Sequence, residues 1–152
     1  MFKEGLGKGR SILFLLAVLA VSGCASGPAF KKVDQIPPNK ALIYVYRPAS
    51  HGAAIVPGLV FNKLNSVPLA AYGYYPHFAD PGPVTIAVVA TGRSHIVLDA
   101  KAGQTYYVRA GTIFMAMGAV YVEQVPEAEG LAQLADCKRI PNVPGVDAPP
   151  EL

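Results

Sequence analysis

Apolar and polar positions divide the chain into four parts. Residues 12–21 form an unbroken apolar run, preceded by Lys3, Lys8 and Arg10. Residues 25–39 contain Gly27, Pro28, Pro37 and Pro38 with little periodicity. This composition predicts a short tether rather than a regular element. From residue 40 to about residue 140 the pattern becomes one of short runs rich in β-branched and aromatic residues. Residues 141–152 are again Pro-rich and are expected to be a disordered tail.

Within the third part, 41–46 (Ala-Leu-Ile-Tyr-Val-Tyr) has the strongest strand signal. A second apolar stretch, 54–61, is interrupted by Pro57 and Gly58, so regular pairing is expected to start at Leu59. Residues 62–66 predict a turn and 67–71 a short strand. Tyr72, Tyr74 and Tyr75 then cluster ahead of Pro76, and 80–83 (Asp-Pro-Gly-Pro) predicts a tight turn. Strands are predicted at 84–91, 94–99 and 105–109, with a turn at 101–104. The apolar stretch 112–125 is broken by Gly118 and is expected to be one bent strand or two. A helix over 113–120 is the competing reading, because Met115, Ala116, Met117 and Ala119 favour helix. One helix is predicted after Pro126. Glu127 and Glu129 suit its start, Lys138 and Arg139 its end, and Leu131, Leu134 and Ala135 make an apolar stripe. The sum is a mainly β chain: a β-sandwich or small open barrel of about seven or eight strands with one C-terminal helix.

The first apolar run covers ten residues, about half of what a helix needs to cross ~30 Å of hydrocarbon. It fits the apolar part of a secretory signal. Leu19-Ala20-Val21-Ser22-Gly23-Cys24 closes it and resembles the bacterial lipoprotein signal, in which the cysteine is acylated and the chain is cut before it. That resemblance implies residues 1–23 as signal peptide and Cys24 as the palmitate-type lipidation site. It also implies attachment to a membrane. Ala25, where an aspartate resembles the inner-membrane retention signal, points to the periplasmic face of a cell outer membrane.

Charge changes with that cut. The whole chain has 13 basic and 10 acidic residues, net +3. Removing 23 of 152 residues, with Lys3, Lys8, Arg10 and Glu4 among them, leaves 129 residues with 10 basic and 9 acidic, net +1. A nearly neutral domain has no footprint for nucleic acid and no polybasic patch for purely electrostatic membrane binding. Acylation would also leave Cys137 as a lone thiol, expected half-buried on the last helix.

Pro38-Asn39-Lys40-Ala41-Leu42-Ile43-Tyr44-Val45-Tyr46-Arg47-Pro48 is similar to the opening of a family of bacterial lipoprotein domains of unknown function, DUF2846. The likeness continues at Val60-Phe61-Asn62 and Pro81-Gly82-Pro83-Val84-Thr85-Ile86. It is clearest over Leu98-Asp99-Ala100-Lys101-Ala102-Gly103-Gln104-Thr105-Tyr106-Tyr107-Val108-Arg109. Members usually carry Asn-Gly in the turn after the second strand, where this chain has Asn62-Lys63-Leu64-Asn65-Ser66. The resemblance implies an envelope lipoprotein with an all-β domain over about 40–140, and it carries no catalytic residues to transfer.

No catalytic set stands out in the residues themselves. His51, His77 and His95 are the only histidines, and none has a second ligand at metal spacing. His95 and Asp99 lie about 13 Å apart on an extended strand. No Gly-x-Ser-x-Gly, His-Glu-x-x-His or phosphate-loop motif occurs. Neither cofactor nor metal is expected. Tyr72, Tyr74, Tyr75, His77 and Phe78 are the candidate binding surface, because tyrosines offer flat contact area with a polar handle. Packing across strands is the plainer role for the same residues. The expectation is a non-catalytic, lipid-anchored envelope protein that binds an envelope protein or glycan or serves structurally. An envelope hydrolase with a site dispersed over loops is the alternative.

Overall fold

The computed structural model describes residues 24–113 and 118–151. The expected signal peptide and residues 114–117 lie outside them. Nine strands form two sheets: β1 (Ala41–Tyr46), β2 (Gly58–Phe61), β3 (Val67–Pro68), β4 (Gly73–Ala79), β5 (Gly82–Val89), β6 (Arg93–Ala100), β7 (Thr105–Thr112), β8 (Val120–Val125) and β9 (Lys138–Arg139). The single helix among the described residues, α1, spans Glu127–Leu134. One sheet has the order β8-β7-β1-β4-β9 and the other β3-β2-β5-β6. The fold is mainly β, two sheets face to face with neither closed into a barrel, as the alternation predicts.

β1 is buried at every position because both of its faces are covered. Ala41, Ile43 and Val45 enter the core between the sheets. Leu42, Tyr44 and Tyr46 enter a second apolar layer on the outer face of the five-stranded sheet. That is why this strand reads as a continuous apolar run rather than an alternating one. Burying each large side chain contributes about 1.5–3 kcal/mol, so β1 is the hub of both cores. It pairs antiparallel with β4 and parallel with β7.

The outer layer is made by α1 and by residues expected to be a free tether. The Ala25 N–H donates to the Ala71 carbonyl at 2.8 Å, and Cys24 forms a parallel bridge with Ala71. The Arg139 N–H donates to the Pro28 carbonyl, and the Phe30 N–H to the Cys137 carbonyl. A side chain at Gly27 would lie 2.0 Å from the Arg139 carbonyl oxygen, so the segment is pressed onto β9. Phe30 packs edge-on against Tyr44 and Tyr74, and Val33 and Ile36 join the same layer. Residues 24–39 are therefore part of the domain and do not lift it away from anything.

The tail expected to be disordered is also docked. Val146 is buried in the inter-sheet core. The Phe78 N–H donates to the Asp147 carbonyl, and Arg139 donates to the Pro149 carbonyl. Lys40 pairs with Asp80 and Asp147 at 2.9 and 3.1 Å, tying the start of β1 to the tail. The domain thus runs past residue 140 on one side and before residue 40 on the other. The 112–125 stretch divides into the end of β7 and all of β8. Gly118 at φ 79° and a bond from the Ile113 N–H to the Ala119 carbonyl form the described part of the turn between them.

Candidate functional site

β4 settles the fate of the aromatic cluster. Alternation along the strand sends Tyr75 and His77 into the inter-sheet space and Tyr74 and Phe78 into the outer layer. Tyr75 is fully buried, Tyr74 and His77 are 3% exposed and Phe78 is 7% exposed. Tyr72 lies just before the strand at φ 52°, half-buried, and shares no extended face with Tyr74. Four of the five residues expected to form one binding surface are split between two cores and the fifth, Tyr72, stands outside both, so cross-strand packing is what most of them do.

His77 stacks on Phe61 with ring centroids 4.1 Å apart, and its Nδ1 lies 2.7 Å from the Asp147 carbonyl oxygen. Burial, opposed in part by that bond, holds its pKa below the usual histidine value of 6.5. A neutral ring with its proton on Nδ1 suits this place. His51 sits in an exposed loop and His95 is exposed on β6, so the three histidines do not converge. Among the described residues no group of three or more His, Cys, Asp or Glu could hold a metal ion. Cys137 is fully buried and lies beyond α1, directly before β9, rather than on the helix. Burial pushes its thiol up to about 12.

Two polar side chains that the sequence did not flag are more unusual. Arg47 is 1% exposed and has no carboxylate within ion-pair distance among the described residues. It donates instead to the carbonyls of Ile55, His51 and Gly52 at 2.8, 2.9 and 2.9 Å. It gathers the β1–β2 loop against the end of β7, a structural task. Arg139 on β9 is 8% exposed. Its Nη2 donates to Asn142 Oδ1 and the Pro149 carbonyl, and its Nε has no partner. Its guanidinium carbon lies 6.0 Å from the centre of the Tyr74 ring.

Arg139, Tyr74 and Phe78 meet in a groove of ≈ 530 Å³ on the outer face of the five-stranded sheet. Pro28, Val33, Ile36 and Pro38 wall it on one side, Pro149 and Glu151 on the other. Lys31, Lys32 and Gln35 also line it and are exposed. The volume falls within the range of ordinary ligand sites, and the lining is mostly apolar. Of the expected surface residues, the groove uses Tyr74 and Phe78. The walls were missed because residues 25–39 lack strand or helix periodicity. A signal was present: Phe30, Val33 and Ile36 recur every three residues, the period of an extended polyproline-like turn, and all three face the sheet.

Compared with models of protein families, with curated proteins and with solved structures, the chain finds no match.

Proposed function

We propose that this chain is a non-catalytic, lipid-anchored envelope protein that holds a segment of another envelope protein in the groove between its two ends. The groove carries the reading: an apolar trough with one buried cation that the fold leaves without a carboxylate. Such a site suits an apolar peptide segment bearing one acidic group. Truncating an anchor seated in a desolvated pocket of this kind usually costs more than 1 kcal/mol of binding. A glycan fits less well. Sugars stack on open ring faces, whereas Tyr74 and Phe78 keep only 3% and 7% of their surfaces accessible.

Anchorage is supported by the Leu19–Cys24 pattern and by the short apolar run before it. No helix among the described residues is long and apolar enough to cross a membrane. Labelled palmitate should enter the parent chain and not Cys24→Ala. A photo-crosslinking residue at Gln35 or Lys32, on the groove rim, should capture the same envelope protein in living cells. The same residue at exposed Gln104, on the β6–β7 turn, should not. A carbohydrate adduct, no adduct, or equal capture from Gln104 would overturn the peptide reading.

A further inference from the structure

The end of the domain that carries Cys24 has its own chemistry. Arg47 and Leu69 bring four segments together there. Arg47 holds the loop at His51, Gly52 and Ile55, and the Leu69 N–H donates to the Pro57 carbonyl. Thr112 at the end of β7 donates from Oγ1 to the His51 carbonyl, and the Gly92 N–H in the β5–β6 turn donates to the Gly118 carbonyl. Ala71, bonded to Ala25, completes the end. Three of the five large apolar side chains that the described residues leave exposed are here: Val56 at 44%, Val89 at 36% and Ile113 at 49%. The loops at 48–57, 69–72, 90–92, 113 and 118–119 contain no Asp or Glu, and Asp136, exposed in the short link from α1 to β9, is the carboxylate beside them. Asp80, Asp99 and Lys101 sit at the opposite end, around the turns at 80–81 and 101–104.

We infer that this end of the domain is a membrane-contacting face, which rests on the lipid bilayer with Val56 and Ile113 in the headgroup layer. The occupant follows from where the chain enters the fold. Cys24 is the residue that carries lipid under the proposed anchorage, on which this inference rests, and it is bridged to Ala71 with no slack chain between. The bonds of Ala25 to Ala71, Pro28 to Arg139 and Phe30 to Cys137 hold the segment, so it cannot peel back without breaking the sheet edge. Lipid on Cys24 therefore brings the rim of the domain to the headgroups, a layer about 5–7 Å deep on each side of the hydrocarbon. Carboxylates are disfavoured next to anionic lipid, and among its described residues this rim carries one, Asp136, close to Lys138. Exposed valine and isoleucine gain from entering that layer, and stable attachment takes more than one weak signal.

The chain has no tryptophan, so single substitutions report cleanly. Full-length chains carrying Val56→Trp, Ile113→Trp or Gln104→Trp would be matured in a bacterial host that acylates lipoproteins. They would then be placed in phosphatidylethanolamine–phosphatidylglycerol vesicles containing brominated acyl chains. Circular dichroism matching the parent chain qualifies each variant, and palmitate incorporation is read on the same samples. Emission from Val56→Trp and Ile113→Trp should shift to shorter wavelength and lose intensity to bromine, and that from Gln104→Trp should do neither. Palmitate incorporated with all three reporters alike would overturn the membrane face and leave the anchorage standing. No palmitate would overturn both.

Discussion

Arg47 is a cation in a nearly dry place. Burial opposes its charge and lowers its pKa. Three carbonyls within 2.9 Å offset that cost, and they belong to a loop otherwise held by two turn bonds and by Thr112. Arg47→Leu removes the desolvation cost but takes the donor from the Ile55 carbonyl, worth about 1–3 kcal/mol when buried, while the His51 and Gly52 carbonyls keep Thr112 and the Ile55 N–H. The loop is partly at the surface and recovers some of this from water. A net loss of about 1–3 kcal/mol in urea unfolding is expected. His77 makes a second residue-scale prediction. Its pKa is held below 6.5 in the folded state, so the unfolded chain binds more protons as pH falls through that value. Stability is full above about 6.5 and declines below it. Thermal midpoints should fall between about pH 7.5 and 5, and His77→Gln should flatten the part due to this ring, amid Lys40, Asp80 and Asp147. Cys137, with its thiol pushed up to about 12, should resist alkylation in the native protein and react promptly in denaturant.

Elements were legible in the sequence to the degree that local chemistry decides them. β1, β5, β6 and β7 follow from apolar and β-branched runs between turn residues, and α1 from the acidic start after Pro126. β4 was hidden by Pro76, which reads as a strand end. The strand continues because of where its backbone points. Phe78 donates to Asp147 and Tyr74 accepts from Ile140, both on the side away from β1. The absent N–H of Pro76 therefore falls on that same side, beyond the two residues of β9, where no ladder bond is lost. Lys138 and Arg139 were expected to complement the end of α1, yet no basic residue lies in its last turn. They form β9 instead, because pairing with β4 and the Pro28 strap outweighs a dipole effect of about 0.3–1 kcal/mol. The groove was only half legible, since its floor lay in the tyrosine cluster and its walls in segments without periodicity. α1 carries a further prediction. Gly130 packs on Tyr107, and an added methyl would stand 2.6 Å from its Cβ. Helix propensity favours alanine by about 1 kcal/mol, but the clash is with an atom next to the backbone. Gly130→Ala is expected to lose about 1–2 kcal/mol net in denaturant unfolding.

At the scale of the whole molecule, the five-stranded sheet joins distant parts of the chain. β1 lies between β4 and β7, and β4 lies between β1 and β9. The parallel pairs β1–β7 and β4–β9 each span more than 60 residues, and Ile140 and Val146 complete the inter-sheet core. A chain ending at Asp136 would lack β9, the docked tail and the partner strand of residues 25–30. It is expected to show no cooperative transition in urea and to be cut rapidly by protease, whereas the full chain unfolds in one step. The order in which the polypeptide is made gives this arrangement a consequence in time. β9 is synthesised after the eight other described strands, so the nascent polypeptide cannot lock into shape early. Under the secretion proposed above, it is expected to reach a translocation pore still threadable, and to fold once β9 and the docked residues after it are through.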